Sequence, residues 1–228
     1  MKFENTEVWG FEHAIRGMRN PLESWNKSDS TILMEQDENK DFREVAKIGK
    51  NDLELMQKLI KAGSEHRKFL RQIFVSVDIT APLFWWKEAD QYKVGTVSNS
   101  CSTMHKLAAT PITLECFEMG DFAKEIIDVR SVTDIKKSST ISQIWERLID
   151  DLETLRCFYN ATGDKRYWKE LIRLLPESWL QKRTITMNYE NILNIYRQRK
   201  NHKLTEWSKS FCDWVKTLPY AEELICIE

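Results

Sequence analysis

Residues 73–107 read Ile73-Phe74-Val75-Ser76-Val77-Asp78-Ile79-Thr80-Ala81-Pro82, then Leu83-Phe84-Trp85-Trp86-Lys87-Glu88-Ala89-Asp90-Gln91-Tyr92-Lys93, then Val94-Gly95-Thr96-Val97-Ser98-Asn99-Ser100-Cys101-Ser102-Thr103-Met104-His105-Lys106-Leu107. Ile73, Val75, Val77 and Ile79 alternate with mostly polar neighbours, the period of a half-buried strand. Ala81-Pro82 closes that strand, and a proline suits the first turn of a following helix, over 82–92. The Gly, Ser, Thr and Asn content of 94–103 predicts a loop.

Working outward, residues 1–10 read as a strand and 11–25 as a short helix stopped near Asn20-Pro21. Residues 26–50 are polar and mixed, which predicts a loop with one turn of helix. Asn51 and Asp52 are N-cap residue types, Leu55, Met56, Leu59 and Ile60 follow at helical spacing, and Gly63 stands where a C-cap glycine ends a helix. Beyond residue 106 the pattern is hard to assign as far as 140, and Asp134 to Ser139 looks solvated. Ile144, Trp145, Leu148, Ile149, Leu152 and Leu155 define an amphipathic helix over about 141–159. Another carries Tyr167, Trp168, Leu171, Ile172 and Leu175 and halts at Pro176. Thr184 to Thr186 reads as a strand. Asn188 caps a helix with Ile192, Leu193, Ile195 and Tyr196, and a last helix holds Leu204, Trp207, Phe211 and Val215. The pattern is mixed α+β, richer in helix than in strand, with no repeat and no visible linker, so 1–228 reads as a single domain.

Composition narrows the function classes. The 228 residues carry 34 Lys plus Arg against 35 Asp plus Glu, a net charge of -1. Such a balance argues against a broad nucleic-acid surface, which draws on a positive field. Mean hydropathy is -0.51, and no run of about 18 uncharged apolar residues exists, so a transmembrane helix is not expected. Nor does the start, Met1-Lys2-Phe3-Glu4-Asn5, have the apolar stretch of a signal peptide. A cytoplasmic protein is expected. Five cysteines without a CxxC pair give neither a disulfide framework nor a zinc knuckle. The four histidines are scattered, so no metal site is expected. Nine tryptophans fit either a Trp-rich core or subunit contacts and aromatic pockets.

No GxGxxG, GxxxxGK[ST] or GxSxG appears, so familiar nucleotide loops and the nucleophile elbow are excluded. A second segment pairs with the first: Leu174-Leu175-Pro176, then Thr184-Ile185-Thr186-Met187-Asn188-Tyr189-Glu190-Asn191-Ile192-Leu193-Asn194-Ile195-Tyr196-Arg197-Gln198-Arg199, continuing through Asn201-His202 to Glu206-Trp207. Together the two segments resemble the flavin-dependent thymidylate synthases of the ThyX type. That family has a strand ending in an Ala-Pro-like turn, a helix reading R-Q-x-x-R-H-R and a loop in the signature R-H-R-x-x-S-x-N-E-x-S-x-R-Y. A Leu-Pro, a Thr-x-Asn helix entry, Asn-x-x-x-x-Arg and a Trp/Glu-containing final helix follow. Leu59 to His66 is similar to the family's helix and Gly-His-Glu element ahead of the strand. The resemblance spans nearly the whole chain in the right order.

The resemblance implies an α+β, helix-rich ThyX-like fold with a central, mostly antiparallel sheet flanked by long helices. It implies FAD as cofactor, NADPH and methylenetetrahydrofolate as co-substrates, a pyrimidine nucleotide of the dUMP kind as substrate, and a homotetramer. The places of the signature fall on Gln91, Tyr92 and Lys93 for R-H-R, on Asn99, Ser100 and Ser102 for the loop, and on Glu88 for the Gln of R-Q. Met104 stands in an Arg place and His105 in the Tyr place. Asn194 takes a flavin-contacting place and Arg199 a nucleotide-contacting one. Arg173 lies one position from a family Arg, and His202 near a family His. On this basis Glu88, Ser100, Ser102, Arg173 and Arg199 are expected at the nucleotide, and His66, Gln91, Tyr92, Lys93, Asn99, Asn194 and His202 at the flavin. No catalytic side chain is implied, because the cofactor carries the hydride chemistry.

The departures keep other readings open. Losing a charge-assisted hydrogen bond costs roughly 1.5–3 kcal/mol, so Met in place of Arg alone weakens an anionic nucleotide about tenfold to a hundredfold. A non-catalytic nucleotide- or flavin-binding protein on the same fold is the rival. An interaction protein using the basic stretch Tyr196 to Lys203 ranks last. Lys87, Lys93 and Arg199 also read as ordinary solvated or snorkelling side chains, and 98–103 as a loop whose hydroxyls answer local backbone groups. What joins the segments is one expectation: the helix and loop after Pro82 converge with the helix after Asn188 on a shared cavity for an anion and a ring.

Overall fold

Four side chains fix the central strand. Ile73, Val75, Val77 and Ile79 are fully buried while their neighbours face outward, which is the expected alternation. The computed structural model describes residues 1–36, 42–120, 128–129 and 139–227. In chain order the described elements begin with β1 (Lys2–Trp9), α1 (Phe11–Arg19), β2 (Thr31–Gln36), β3 (Phe42–Lys47), α2 (Lys50–Lys61), β4 (Phe74–Pro82) and α3 (Leu83–Ala89). They continue with β5 (Val97–Ser100), α4 (Thr103–Lys106), β6 (Asp128–Val129), β7 (Ser139–Thr140), α5 (Ile141–Thr162) and α6 (Lys165–Leu174). The last are β8 (Leu180–Asn188), α7 (Tyr189–Arg199), a π-helical turn at Glu206–Phe211, α8 (Cys212–Lys216) and α9 (Ala221–Leu224). The main sheet is antiparallel with strand order β1-β4-β8-β5, and the protein is a helix-rich α+β fold.

Several expected elements differ in detail. Pro82 ends the strand rather than entering the helix, and α3 stops at Ala89. Residues 26–50 hold the expected single helical turn, at Trp25–Lys27, but not only a loop beside it: Thr31–Gln36 and Phe42–Lys47 pair as antiparallel strands, with Thr31 opposite Lys47 and Gln36 opposite Phe42. Both faces of this hairpin are largely exposed, so no buried side imposed a readable alternation. Asn51 and Asp52 do not cap α2. Their backbone N–H groups instead donate to the Asp29 carboxylate at 3.0 and 3.1 Å, a cap supplied from a distant part of the chain. Asn99 and Ser100 stand in β5 rather than in a loop. Residues 134–138 of the stretch read as solvated lie outside the described residues.

The chain divides into two units: Met1–Ile79, Ala89–Asn99 and Arg183–Glu228 form the first, Thr80–Glu88 and Ser100–Lys182 the second. In the first unit, α1, α2, α7 and α8 contribute Ile15, Met18, Met56, Ile60, Ile192, Leu193 and Val215 to the core. Gly10 precedes α1, and its N–H, with that of Phe11, donates to the Glu44 carboxylate of β3 at 3.2 and 3.0 Å, an anion at the positive end of a helix. Gly10 has φ +96°, and a Cβ there would lie 2.2 Å from the Gln72 carbonyl oxygen. Gly10→Ala is therefore expected to cost at least about 1–2 kcal/mol, read as a lowered midpoint in a urea melt.

The second unit is built on α5 and α6 around Leu107, Ile112, Phe117, Leu152 and Leu171. Asp164 caps α6 by accepting from the Arg166 N–H at 2.9 Å. Glu153 accepts from the Ile112 N–H at 2.8 Å, and Asn160 donates to the Ala108 carbonyl at 3.0 Å, which fixes 108–112 on α5. The Arg156 guanidinium beside Glu153 holds its carboxyl below the usual carboxylate range. Among the described residues no helix is long and apolar enough to cross a membrane.

Candidate functional site

α7 is the element from which a site in the first unit is built. Its start is a capping box: the Asn188 carboxamide accepts from the Asn191 N–H at 3.0 Å, and the Asn191 carboxamide accepts from the Asn188 N–H at 3.2 Å. The Asn191 side chain also donates to the Val94 carbonyl at 2.6 Å. One face of the helix thereby holds the segment after α3. Two turns on, the Tyr92 hydroxyl donates to the Gln198 carboxamide at 3.0 Å and accepts from Arg199 Nε at 2.8 Å. Gly95 follows these anchors in the turn closed by the Thr96 N–H on the Lys93 carbonyl at 3.3 Å, at φ +73°, a conformation that favours glycine. Tyr92 and Val94 are thus held against α7.

Arg199 is held by rings as well as by a hydroxyl. Its guanidinium lies 4.8 Å from the centroid of the Trp207 ring and 5.6 Å from that of Tyr92. Tyr92 meets Trp207 edge-on at 6.2 Å, and Trp207 meets Phe211 at 5.4 Å. A cation fixed on two aromatic faces keeps its charge and loses little further freedom when an anion arrives. Farther back on α7, burial pushes the Tyr196 phenol up to about 12, and the Cys212 thiol nearby in α8 is pushed up to about 11 by burial. Neither group is ionised near neutral pH.

A second cluster lies at Glu190 and Asn194, one turn apart on α7. Arg67, which follows the exposed His66, donates from Nε to both Glu190 carboxylate oxygens at 3.2 and 2.9 Å and from Nη2 to Oε1 at 3.1 Å. Both partners of this ion pair are buried, at 8% and 7% exposure. Arg67 Nη2 also donates to Asn194 Oδ1 at 3.2 Å, and Asn194 Nδ2 to Glu190 Oε1 at 3.4 Å.

The other expected residues are distributed as follows. Gln91, Lys93 and Asn99 are exposed in and around the same segment. His202 closes the turn after α7, its Nδ1 accepting from the Leu204 N–H at 3.2 Å. In the second unit Ser102 lines a hollow of about 150 Å³ with Thr103, Lys106, Gln181 and Lys182. The Gln181 amide donates to the Cys101 carbonyl and to the Thr103 hydroxyl at 2.9 and 3.1 Å, which fixes that rim. Ser100 precedes it, exposed at the end of β5, and Glu88 is half-buried on α3. Arg173 stands exposed in the last turn of α6, paired with Glu170 of its own helix, and is not among the residues lining the hollow. The resemblance did not point to Arg67, Glu190, Gln198 or Lys106. Only the spacing of Glu190 and Asn194, four apart on one helix face, offered a local signal.

A flavin with its diphosphate needs hydrogen-bond donors and cations that the fold does not consume itself. Thr96 Oγ1, in the turn between Lys93 and Asn99, is buried and has no hydrogen-bond partner among the described residues. A buried hydroxyl without a partner costs about 1–3 kcal/mol, which a ligand in this loop would remove. With Lys93 exposed beside it and Arg199 held on its rings, the residues present fit an anionic ring-bearing ligand.

No protein-family model matches the chain, and no curated protein matches it by sequence. Solved structures match along its whole length. The flavin-dependent thymidylate synthase ThyX from Helicobacter pylori, complexed with FAD and dUMP, superposes at TM-score 0.67 with 17% identity over 100% of both chains. A second structure of ThyX from Helicobacter pylori with FAD and dUMP gives 0.66 at 15% identity, covering 99% of this chain and 97% of that one. The UMP/dUMP methylase PolB from Streptomyces cacaoi, bound with 5-Br UMP, gives 0.60 at 11% identity, over 99% and 92%. At such identities the likeness shows the fold: this chain has the ThyX fold.

Proposed function

We propose that this chain is a flavin-dependent thymidylate synthase-like enzyme that transfers a methyl group to a pyrimidine nucleotide of the dUMP or UMP kind. FAD is the cofactor, with NADPH and methylenetetrahydrofolate as co-substrates. The single observation that carries the reading is the end-to-end correspondence with a ThyX that holds FAD and dUMP. The reading carries with it what the sequence resemblance implies, one functional domain over 1–228 working as a homotetramer in the cytoplasm.

FAD, once reduced, supplies a hydride. The chain's own residues bind and orient. Tyr92, Lys93, Asn99, Asn194 and His202, with His66 and Gln91, serve the flavin; Thr96 adds the hydroxyl its loop leaves unpartnered. Arg199 of the first unit holds nucleotide charge on its aromatic seat; Glu88, Ser100 and Arg173, all in the second unit, are the further nucleotide residues that the resemblance implies. Met104 stands where the signature has an Arg, and the hollow lined by Ser102, Thr103, Lys106 and Lys182 offers a replacement, since these are hydroxyl- and ammonium-bearing residues. Its volume of about 150 Å³ is roughly that of five water molecules at about 30 Å³ each, room for a phosphate.

Freshly purified protein is expected to show flavin absorbance, or to take up added FAD, and to be stabilised by dUMP or UMP. Ligand at about 100 Kd adds about 2.7 kcal/mol. Lys106→Met is expected to weaken nucleotide binding about tenfold in calorimetry, because a charge-assisted contact is lost. Colourless protein that binds neither FAD nor nucleotide would overturn the reading. Binding of both without methyl transfer to dUMP or UMP would remove the enzyme and leave a nucleotide-binding protein on this fold.

A further inference from the structure

A hollow of about 310 Å³ opens in the first unit between α1 and the segment that leads into β2. Helix α1 lines it with Glu12, Ile15, Arg16 and Arg19, whose spacing puts them on one face. Trp25, Ser28, Ser30 and Ile32 line the rest.

The hydrogen bonds already made by the fold decide what this wall can still offer. The Ser28 hydroxyl gives its one hydrogen to Asp52 Oδ2 at 2.7 Å, and the Ser30 hydroxyl gives its own to the same oxygen at 2.6 Å. A hydroxyl has one donor and two acceptor lone pairs. Ser30 answers the Gly49 N–H with one of them at 3.0 Å, so both serines keep acceptors only. The Trp25 indole N–H donates to Asn20 Oδ1 at 2.8 Å, which fixes the ring and leaves it no donor. That ring is half exposed. Arg19 is buried, its charge answered by Asp52 at 2.6 Å.

Two further charges stand at the hollow. Glu12 and Arg16 are four residues apart with the Glu first, the order in which such a pair closes on a helix surface. Both are exposed, and neither has an ion-pair or hydrogen-bond partner among the described residues. The hollow thus joins one free anion, one free cation, fixed acceptors and an apolar wall of Ile15, Ile32 and Trp25. A ligand of a single charge meets one of the two side chains as a like charge, whereas a zwitterion meets both as opposites. The volume lies at the small end of ligand pockets, which span about 300–1,000 Å³.

We propose that this hollow binds a free α-amino acid with an aromatic side chain. The Arg16 guanidinium takes its carboxylate. Its ammonium, which has three donors and no acceptor, is met by Glu12 and the serine oxygens. The ring lies against Trp25 and the two isoleucines. The site shares no residue with those assigned to flavin or nucleotide, and it does not depend on the methyl-transfer reading.

The full-length chain is titrated by calorimetry with L-phenylalanine and with two analogues that each lack one charge, phenethylamine and 3-phenylpropionate. The expected result is that L-phenylalanine binds at least tenfold more tightly than either analogue. Arg16→Met should weaken L-phenylalanine at least tenfold and leave phenethylamine unchanged. Glu12→Gln should weaken L-phenylalanine and phenethylamine alike and leave 3-phenylpropionate unchanged. Both side chains are exposed, and melting temperatures check that the variants fold. Should a variant not fold, the three ligands on the wild-type chain decide alone. No binding of L-phenylalanine at millimolar concentration, binding no tighter than that of the analogues, or wild-type affinity in both variants overturns the proposal. Displacement of L-phenylalanine by FAD or dUMP also overturns it, because the hollow then belongs to the ligands of the functional reading. A chain that binds L-phenylalanine in this pattern but neither FAD nor dUMP overturns that reading and supports the proposal.

Discussion

Asp52→Ala is expected to cost about 3–5 kcal/mol of stability, because it leaves the Arg19 charge buried without its partner. The carboxylate is fully buried on α2 and answers five donors. Its Oδ1 accepts from Arg19 Nε at 2.6 Å. Its Oδ2 accepts from the Ser28 hydroxyl at 2.7 Å, the Asp29 N–H at 3.0 Å, the Ser30 N–H at 3.1 Å and the Ser30 hydroxyl at 2.6 Å. Arg19 in turn donates to the Ser24 carbonyl and hydroxyl and to the Lys27 carbonyl. One ion pair therefore joins α1, α2 and the segment that leads into β2. Urea denaturation should show a lowered midpoint with an unchanged slope, and a loss under about 1 kcal/mol would contradict this account.

The same carboxylate gives a pH dependence with a definite sign. Burial alone would raise its pKa, but the hydrogen bonds from Ser30, Ser28, Arg19 and the Asp29 backbone outweigh burial, and the pKa is lowered. A folded-state pKa below the unfolded value means that the unfolded chain binds more protons as the solution is acidified. The contribution of Asp52 is thus complete above about pH 4, near the unfolded carboxyl value, and fades as pH falls through the lower folded pKa. Acid titration of the melting temperature should show this decline in the wild-type chain. It should be much reduced in Asp52→Asn, which cannot ionise.

Why Asp52 reads as a helix cap in the sequence and turns out to be a buried hub shows where local reasoning stops. A cap is recognised from residue type and position, and Asp52 has both. Its partners lie 22 to 33 residues away, and nothing local announces them. β4 was legible because one face is wholly buried, so burial imposed a period of two. The hairpin β2–β3 was not, since Met34 and Phe42 are 61% and 69% exposed and its sequence carries no contrast between faces. The candidate site divides in the same way. The capping role of Asn188 is visible in the residues themselves, and the ordered resemblance assigned Tyr92 to the flavin and Arg199 to the nucleotide. That Tyr92 holds Arg199, and Arg67 holds Glu190, depends on contacts 107 and 123 residues apart. Such contacts follow from the fold rather than from any window of sequence.

Trp207→Ala should be the most damaging single change around Arg199. The ring is 1% exposed, and truncating a buried tryptophan costs about 3–5 kcal/mol through lost contacts and the cavity left behind. Trp207 is also the face on which the Arg199 guanidinium rests at 4.8 Å, and it meets Tyr92 edge-on. A second loss of about 0.5–2 kcal/mol belongs to that cation–ring contact. The two parts separate in a double-mutant cycle with Arg199→Ala, measured by urea denaturation. If Arg199 depends on the ring, the double variant should be less destabilised than the sum of the singles by about 0.5–2 kcal/mol. Trp207→Phe keeps an aromatic face and most of the volume, so it should lose less stability than Trp207→Ala and retain part of the coupling. Simple additivity in the cycle would show that Arg199 stands without the ring, and that Tyr92 alone orients it. The π-helical turn Glu206–Phe211 gives the arrangement its physical origin: with one residue more per hydrogen-bonded turn than an α-helix, it sets Trp207 against both Phe211 and the end of α7.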